Sequence, residues 1–256
     1  GILFENEDGH VDVSQSSLWL NKGNITPQEE GMLCKLQDRN LFYNKRTCHH
    51  CQQGMLSVDH LATCCGRMLD FDYKKRHNDV VRCLHFMFAK QYGLHSKKRL
   101  KSYKVERVIA NDRVRIKSDV TIGTDNRIEH NKPDLMIHDL KTNEILLIEV
   151  GITSKRNLPT VEVTKARKYE LLAGELRSMF RGAKVKCIPV VLTWDGLVTR
   201  HFKRHMEGLG VDKKLRGYFQ VQVLKRTCEA VLIDARLGNL EKPVDLVDLE
   251  REFDVL

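Results

Sequence analysis

The chain lacks any run of eighteen consecutive apolar residues, so it offers no segment long enough to cross a bilayer as a helix. Its first residues show no signal-peptide pattern. Eight cysteines are few for 256 residues, and a disulfide framework would spread them more evenly than they are spread here. We therefore expect a chain that spans no membrane and works in a reducing compartment.

The composition is that of a slightly polar globular protein, with 41% hydrophobic and 30% charged residues. The formal net charge of +9 favours a polyanionic partner, and nucleic acid is the first such partner to consider. One stretch concentrates this charge and contains no acid. We expect its basic residues, which are Lys97, Lys98, Arg99, Lys101 and Lys104, to be exposed and to contact the phosphates of DNA or RNA.

The order of predicted elements indicates the fold class. A capping box at Thr26, Pro27 and Glu29 begins a helix. Further helical periodicity covers residues 74–92, 160–181 and two stretches within 195–228. Strand-like runs cover residues 114–122, 135–138, 145–152 and 184–193, the middle two forming a hairpin. This order predicts an α/β fold with a mixed central sheet flanked by helices.

A cysteine cluster lies before the first predicted strand. Cys48 and Cys51 are followed by His60 and then by Cys65, all within eighteen residues. Such spacing can close a tetrahedron around Zn²⁺, and four protein ligands leave no open position, which is typical of a structural site. Spacing alone does not exclude the rival ligands Cys64, His49 and His50. We divide the chain into an N-terminal helical segment with this zinc knuckle, residues 1–70, and a second domain, residues 71–256.

An acid interrupts the most apolar of the predicted strands. Glu149 lies in the run from Ile145 to Val150, where a buried carboxylate is costly unless something neutralises it. Asp134 follows Pro133 at the start of the preceding strand. Two carboxylates on adjacent strands can hold Mg²⁺ or Mn²⁺ with room for water and a phosphate oxygen. This pattern predicts the metal core of a phosphodiester-cutting nuclease.

The simplest nuclease pattern has a lysine two positions after the second acid, but Gly151 occupies that position here. The next predicted helix offers Lys165 and Lys168, three residues apart and therefore on one face. Lys155 lies nearer, in a predicted turn. One of these lysines is expected to position or deprotonate the attacking water and to offset phosphate charge.

Three polar residues open the helix predicted over residues 74–92. Arg76, His77 and Asn78 can form hydrogen bonds to a phosphate at a helix N-terminus. We expect Arg76 and Asn78 to hold the scissile strand, and His77 to act as a proton carrier.

Taken in order, these features resemble the restriction-like endonuclease region, with its CCHC zinc knuckle, of early-branching non-LTR retrotransposon polyproteins. The resemblance spans roughly residues 19–195. It is carried by Trp19, Gln37-Asp38, the Cys48-Cys51-His60-Cys65 knuckle, Arg76-His77-Asn78, Pro133-Asp134, Glu149 and Lys165-x-x-Lys168-Tyr169. The family spaces its last knuckle cysteine four residues after the histidine, which favours Cys65. Its lysine lies in the helix after the second acid, which favours Lys165 or Lys168, and that acid is often Asp where this chain has Glu149.

The resemblance implies a restriction-endonuclease-like fold and a PD-(D/E)xK-type DNA endonuclease that uses Mg²⁺ or Mn²⁺. Such an enzyme nicks target DNA in the nucleus, and the freed 3′ hydroxyl primes reverse transcription. Further implied partners are the element RNA and a reverse-transcriptase domain in the same polyprotein. The paired aspartates of a reverse transcriptase do not occur in this sequence, so we interpret the chain as a fragment of an element or a host-kept remnant.

Two other interpretations compete with this one. A non-cleaving nucleic-acid-binding platform is favoured by the glycine at position 151. A structure-selective nuclease resembling junction resolvases would share the same metal core, and it would prefer branched DNA to plain duplex.

Overall fold

Five strands in the centre of the chain form one mixed sheet. The computed structural model describes residues 9–39, 46–68, 73–95, 99–100 and 102–234, and within them the strands lie side by side in chain order. The first four strands pair antiparallel, and the fifth is parallel to the fourth. They are β1 (Val108–Ala110), β2 (Val114–Ser118), β3 (Leu135–Asp139), β4 (Glu144–Thr153) and β5 (Lys184–Thr193). The predicted mixed sheet is confirmed.

Helices surround this sheet. They are α1 (Val13–Ser16), α2 (Leu18–Lys22), α3 (Pro27–Gln37), α4 (Val58–Thr63), α5 (Gly66–Met68), α6 (Lys74–Gln91), α7 (Leu158–Arg167), α8 (Glu170–Met179), α9 (Arg200–Gly208) and α10 (Lys213–Asp234). The predicted capping box begins α3: the Glu29 N–H donates to Thr26 Oγ1 at 3.2 Å, and the Thr26 N–H donates to Glu29 Oε2 at 2.7 Å. None of the helices in the described ranges combines the length and the apolar character needed to cross a membrane.

The hairpin of β3 and β4 sets the geometry of the site. Its register pairs Leu135 with Ile148 and Asp139 with Glu144, as the predicted hairpin requires. Strand β4 continues past Ile148 to Thr153, and β5 remains its partner over this extension. Parallel strands cannot be joined by a tight turn, so the chain crosses from β4 to β5 through α7 and α8. The start of β3, the extension of β4 and α7 therefore meet at one end of the sheet.

The helix predicted over residues 160–181 was wrong as a single element. The chain turns between α7 and α8 at Tyr169, whose side chain is buried and directed at the sheet by its hydroxyl contacts. The register of the second half consequently differs from that of one straight helix. In the first half, Val163 of α7 is 52% exposed.

Two strands also differ from the prediction. Strand β2 ends at Ser118 rather than at residue 122, because Asp119 adopts a left-handed backbone conformation with φ of 51°. Strand β1 was not predicted. Its outer residues are exposed, so its sequence carries no buried alternation for a pattern to detect.

Side chains of β4 alternate between two hydrophobic clusters. Leu147 belongs with Leu172 of α8, whereas Ile148 belongs with Val80 of α6. The cluster on the α6 side also contains Leu61 of α4, beside the cysteine knuckle. Residues on both sides of position 70, where we predicted a domain boundary, thus share one hydrophobic core.

Polar contacts also fasten the N-terminal segment to the sheet. Arg39 Nε lies 2.6 Å from Asp59 of α4, and Arg39 Nη2 lies 3.3 Å from Asp195 after β5. The same guanidinium covers the ring of Trp194 at 4.9 Å, and Trp194 Nε1 donates to Asp59 at 3.1 Å. Because Asp195 is fully buried, Arg39 supplies the positive charge that its carboxylate needs.

Asp139 closes the turn of the β3–β4 hairpin. Its Oδ1 accepts the backbone N–H groups of Lys141 and Thr142 at 3.0 and 3.1 Å. Its Oδ2 accepts the hydroxyl of Tyr92 at 3.1 Å and lies 3.5 Å from Arg113 Nη2. Burial raises the pKa of Asp139, but these hydrogen bonds and the nearby guanidinium outweigh it and hold the pKa below its ordinary value.

We expect Asp139→Ala to lower the free energy of unfolding by about 2 kcal/mol at neutral pH, since hydrogen bonds to charged acceptors contribute about 1.5–3 kcal/mol. Because the pKa of Asp139 is lower in the folded protein than in the unfolded chain, its ionised carboxylate stabilises the fold at pH values above the unfolded-state pKa of about 3.9. This stabilisation is lost as the pH falls through the lower, folded-state pKa. Urea unfolding between about pH 7 and about pH 2.5 measures the difference. Asp139→Asn controls for size, and a difference that does not shrink in acid would contradict the assignment.

Candidate functional site

Asp134 and Glu149 face each other at the end of the hairpin. The register that pairs Leu135 with Ile148 brings Asp134 opposite Glu149 one step further on, and directly opposed residues have neighbouring side chains. Glu149 is 4% exposed. Asp134 Oδ2 accepts the backbone N–H of Val150 at 2.7 Å, which holds this carboxylate against the edge of β4.

Two lysines neutralise the buried Glu149. Lys165 Nζ and Lys168 Nζ donate to Glu149 Oε1 at 2.7 and 2.6 Å. Burial lowers the pKa of Lys165, but the hydrogen bond and the charge of Glu149 outweigh it, so the pKa lies above its ordinary value. The ammonium group therefore stays protonated at neutral pH. Both lysines that the sequence proposed on this helix reach the second acid, whereas Lys155 lies in the short 3₁₀ helix before α7.

Tyr169 completes the surroundings of Glu149. Its hydroxyl lies 2.9 Å from Glu149 Oε2 and 2.8 Å from the carbonyl oxygen of Lys132, so two acceptors share its one proton. Burial and the charge of Glu149 raise the pKa of Tyr169. The sequence analysis assigned Tyr169 no role in the site beyond its place in the motif that ends the resemblance. Its position directly after Lys168 was the one feature of the sequence that could have indicated a contact with Glu149.

His77 contacts the first acid. Its Nε2 lies 3.0 Å from Asp134 Oδ2, and its Nδ1 lies 3.1 Å from Asn78 Oδ1. Both ring nitrogens thus face oxygen acceptors, which is the arrangement of a doubly protonated ring. Burial lowers the pKa of His77, but the hydrogen bond to Asp134 and its charge outweigh it and raise the pKa above its ordinary value.

Gly151 explains why the lysines come from a helix. A β-carbon at this position would lie 3.3 Å from Val161 of α7 and 3.3 Å from Val191 of β5. A longer side chain would force α7 away from the sheet. The glycine lets α7 pack closely over β4, and this brings Lys165 to Glu149. The departure from the simple pattern is thus linked to the position of the lysines that contact the acid.

Arg76 does not lie at the site, although we expected it to hold the scissile strand. Helix α6 begins at Lys74, two residues before it, and the Arg76 side chain is 1% exposed. Its Nη2 donates to the carbonyl oxygen of Ala62 at 2.7 Å, and its Nη1 donates to Thr227 Oγ1 at 3.4 Å. Arg76 therefore joins α4 to α10 inside the protein, where a nucleic-acid strand cannot reach it. Asn78 is exposed and orients His77.

The predicted basic stretch is described in part. Arg99 and Lys104 are exposed, as expected. Lys97, Lys98 and Lys101 lie outside the described residues.

The knuckle side chains converge on one point. Cys48, Cys51, His60 and Cys65 place their ligand atoms within 4.8 Å of one another. Cys51 Sγ lies 3.3 Å from His60 Nε2, and Cys48 Sγ lies 4.0 Å from Cys65 Sγ. Three sulfurs and one imidazole nitrogen are a soft donor set that suits Zn²⁺. The cluster can hold a metal ion such as zinc.

The cluster takes Cys65 and not Cys64. Cys64 is exposed, and its Sγ lies 3.4 Å from Thr63 Oγ1. The other rivals, His49 and His50, lie with their ring centroids 4.0 Å apart. The loop before α4 passes close to the histidine of the cluster, since a β-carbon on Gly54 would lie 2.6 Å from the His60 ring. Any other residue at position 54 would require the His60 ring to shift.

The site thus consists of an acidic pair with three cationic side chains and a separate cluster of metal-ligating side chains. The acidic pair lies at the end of the sheet, and the cluster lies beside α4. Neither the comparison with known protein families nor the comparison with curated proteins found a match to this chain.

Proposed function

We propose that this chain is a metal-dependent DNA endonuclease of the PD-(D/E)xK type, with Asp134 and Glu149 as its acidic centre. The observation that carries the proposal is the convergence of two carboxylates, two lysines and a histidine at one end of the sheet. Phosphodiester hydrolysis needs a positioned water, stabilised charge on the phosphate and a protonated leaving group. These residue types can supply each requirement.

The acidic pair fits a hard divalent cation. Mg²⁺ and Mn²⁺ prefer oxygen ligands, and Mg²⁺ is often held by one or two carboxylates together with phosphate oxygens. Within the described residues Asp134 Oδ1 has no hydrogen-bond partner, and the side chain is 17% exposed. Asp134 and Glu149 would hold the cation. When bound, it would supply Lewis-acid stabilisation of the charge on the phosphate.

The chain's own side chains supply the remaining roles. Water attacks phosphorus and loses a proton to the solvent, the bond from phosphorus to the 3′ oxygen breaks, and the 3′ oxygen takes a proton. Lys165 or Lys168 positions the water and offsets phosphate charge. His77, with both ring nitrogens facing acceptors, carries a proton for the leaving oxygen.

The biological setting follows from the resemblance and belongs to the same proposal. An endonuclease of this kind would nick target DNA in the nucleus for target-primed reverse transcription by a non-LTR retrotransposon. The element RNA and a reverse-transcriptase domain in the same polyprotein would be its partners. The zinc knuckle followed by the two acids and the helical lysines, in that order, supports this setting.

A plasmid assay tests the proposal. The purified chain is incubated with supercoiled plasmid and Mg²⁺ or Mn²⁺, with EDTA as the control, and we expect metal-dependent conversion to open circles. A parallel reaction with a four-way junction separates the resolvase alternative, which predicts faster cutting of the junction than of plain duplex. Tight DNA binding without cutting under any of these conditions would contradict an endonuclease.

A non-cleaving platform is the second candidate, and one observation favours it. Lys165, Lys168 and Tyr169 already satisfy Glu149, so this acid can be retained for packing alone. If the chain is such a platform, it does not cut DNA, and substitutions at Glu149 change only the stability of the fold.

The basic stretch gives a separate prediction for DNA binding. We expect Lys97→Ala/Lys98→Ala/Arg99→Ala to weaken binding uniformly across sequences and to reduce the slope of log K against log salt by about 2–3, roughly one unit for each lost phosphate contact. Fluorescence anisotropy at several salt concentrations measures the slope. Lys213→Ala/Lys214→Ala removes exposed charge from α10 as a control. An unchanged slope in the triple variant would show that this stretch does not contact the backbone of DNA.

A further inference from the structure

A cavity lies where the end of α4, the start of α6 and the end of β4 meet. Its volume is about 400 Å³, within the range of roughly 300–1,000 Å³ that small-molecule pockets occupy. The end of α4 forms one wall through Thr63, and the start of α6 forms another through Tyr73 and Lys74. The third wall is the end of β4 and the residues after it, where Ser154 and Asn157 line the cavity.

The cavity and the acidic pair lie along the same stretch of chain. Strand β4 pairs with β3 up to Ile148 and continues to Thr153 beyond that pairing. Asp134 binds the start of this extension at Val150, and the cavity lies at its end. At about 3.3 Å per residue the walls at residues 152–154 are about 10–16 Å from Glu149 along the strand. That span is about three to five stacked nucleotides at roughly 3.4 Å each.

Tyr73 also connects the cavity to the site. It precedes His77 by one helical turn, so both side chains share a face of α6. Their rings are stacked with centroids 6.3 Å apart and planes at 22°. A strand that reaches the acidic pair past His77 therefore next meets the Tyr73 ring.

The lining has the chemistry that a nucleotide needs. Tyr73 is half-buried and offers an aromatic face, on which any nucleobase can stack. Lys74 is exposed and offers a positive charge for a phosphate. Among the described residues the side chains of Ser154 and Asn157 have no hydrogen-bond partner, so their donors and acceptors remain for the edge of a base.

We propose that this cavity binds one unstacked nucleobase, with its phosphate, of the DNA strand that enters the acidic site. The inference rests on the proposed endonuclease function and deepens it, because the protein would then grip single-stranded or locally opened DNA a few nucleotides from the cut. Tyr73 stacks on the base, Asn157 and Ser154 contact its edge, and Lys74 contacts the phosphate. The knuckle helix α4 closes one side of the cavity, which gives the N-terminal segment a part in strand binding.

Binding measurements without divalent cation test this inference independently of cleavage. Anisotropy compares a labelled single-stranded DNA 12-mer with the blunt duplex of the same sequence. We expect Tyr73→Leu to weaken single-strand binding about 10-fold to 100-fold and to change duplex binding less than about twofold. Tyr73→Phe keeps the ring and should bind as wild type.

A second set of variants tests the polar residues that line the cavity. It keeps the inference testable if the Tyr73 variants fail to fold. Asn157→Ala should weaken single-strand binding, whereas Asn126→Ala, at an exposed asparagine that bonds Glu175, should not. 2-Aminopurine placed at successive positions of the 12-mer should brighten at one position with wild type and not with Tyr73→Leu. Equal losses for single strand and duplex, or no loss in either arm, would overturn the inference.

The plasmid assay keeps the two proposals distinguishable. Metal-dependent nicking without any effect of Tyr73→Leu or Asn157→Ala on strand preference would overturn the cavity assignment alone. A selective loss of single-strand binding in a wild-type background that never nicks DNA would overturn the endonuclease and leave a single-strand binding site.

Discussion

Asp134→Asn is expected to reduce metal-dependent nicking about 1,000-fold or more, because loss of a cation ligand forfeits several kcal/mol of charge stabilisation. Duplex binding should stay within about threefold, since phosphate contacts elsewhere dominate affinity. Asparagine keeps the shape and one oxygen acceptor, so it can still receive the Val150 N–H that Asp134 Oδ2 accepts at 2.7 Å. The alanine variant should lose nicking equally, but it leaves Val150 N–H without this acceptor and should cost about 1–3 kcal/mol of stability.

Asp119→Asn provides the matched control. This acid directly follows β2 in the chain, is 76% exposed and pairs with Lys132 at 2.7 Å. We expect it to nick plasmid at the wild-type rate. Circular dichroism establishes that each variant is folded, and rates are measured over a range of Mg²⁺ concentrations. A folded Asp134→Asn protein that nicks like the wild type would remove Asp134 from the active site.

Cys65→Ser is expected to abolish stoichiometric zinc binding, whereas Cys64→Ser should leave it intact. The two residues are adjacent in sequence, but only Cys65 contributes a sulfur to the four-residue cluster, and Cys64 is exposed. Metal content by mass spectrometry after extensive dialysis distinguishes the variants. Retention of zinc by Cys65→Ser together with its loss from Cys64→Ser would show that the ligand assignment is wrong.

The same substitution should also destabilise the whole protein. Structural zinc contributes folding free energy directly, and Cys65 belongs to the hydrophobic cluster that includes Val80 and Ile148. A loss of several kcal/mol lowers the melting temperature on the order of 10 °C in a chain of this size. Thermal unfolding of Cys64→Ser should match the wild type. A normal melting temperature for zinc-free Cys65→Ser would show that the knuckle is energetically separate from the core.

Local patterns predicted the elements well where a strand has a nearly continuous apolar run that becomes buried. Strand β5 matches its predicted bounds, and β4 extends its prediction by one residue at each end. Patterns failed where tertiary contacts override them. The turn at Tyr169 arises because a buried hydroxyl contacts Glu149 and the Lys132 carbonyl, and no local periodicity encodes such a contact.

The site was predicted to a similar degree. The sequence identified the two acids, the two helical lysines and His77, and the structure brings these side chains together. It also assigned a strand-binding role to Arg76 from its place near a helix start, and this was wrong. The guanidinium is buried because its hydrogen-bond acceptors, on Ala62 and Thr227, come from distant parts of the chain.

The sequence by itself determined the mixed α/β architecture, the spacing of the cysteine cluster and the positions of the acids, because each depends on periodicity or on ligands close in the chain. Tertiary structure alone decided which groups meet. Asp134 and His77 are 57 residues apart and come into contact only when α6 packs against the sheet. Likewise, the choice of Lys165 and Lys168 over Lys155 depends on how closely α7 approaches Gly151. Such distances follow from the packing of whole elements, which no local pattern of residues specifies.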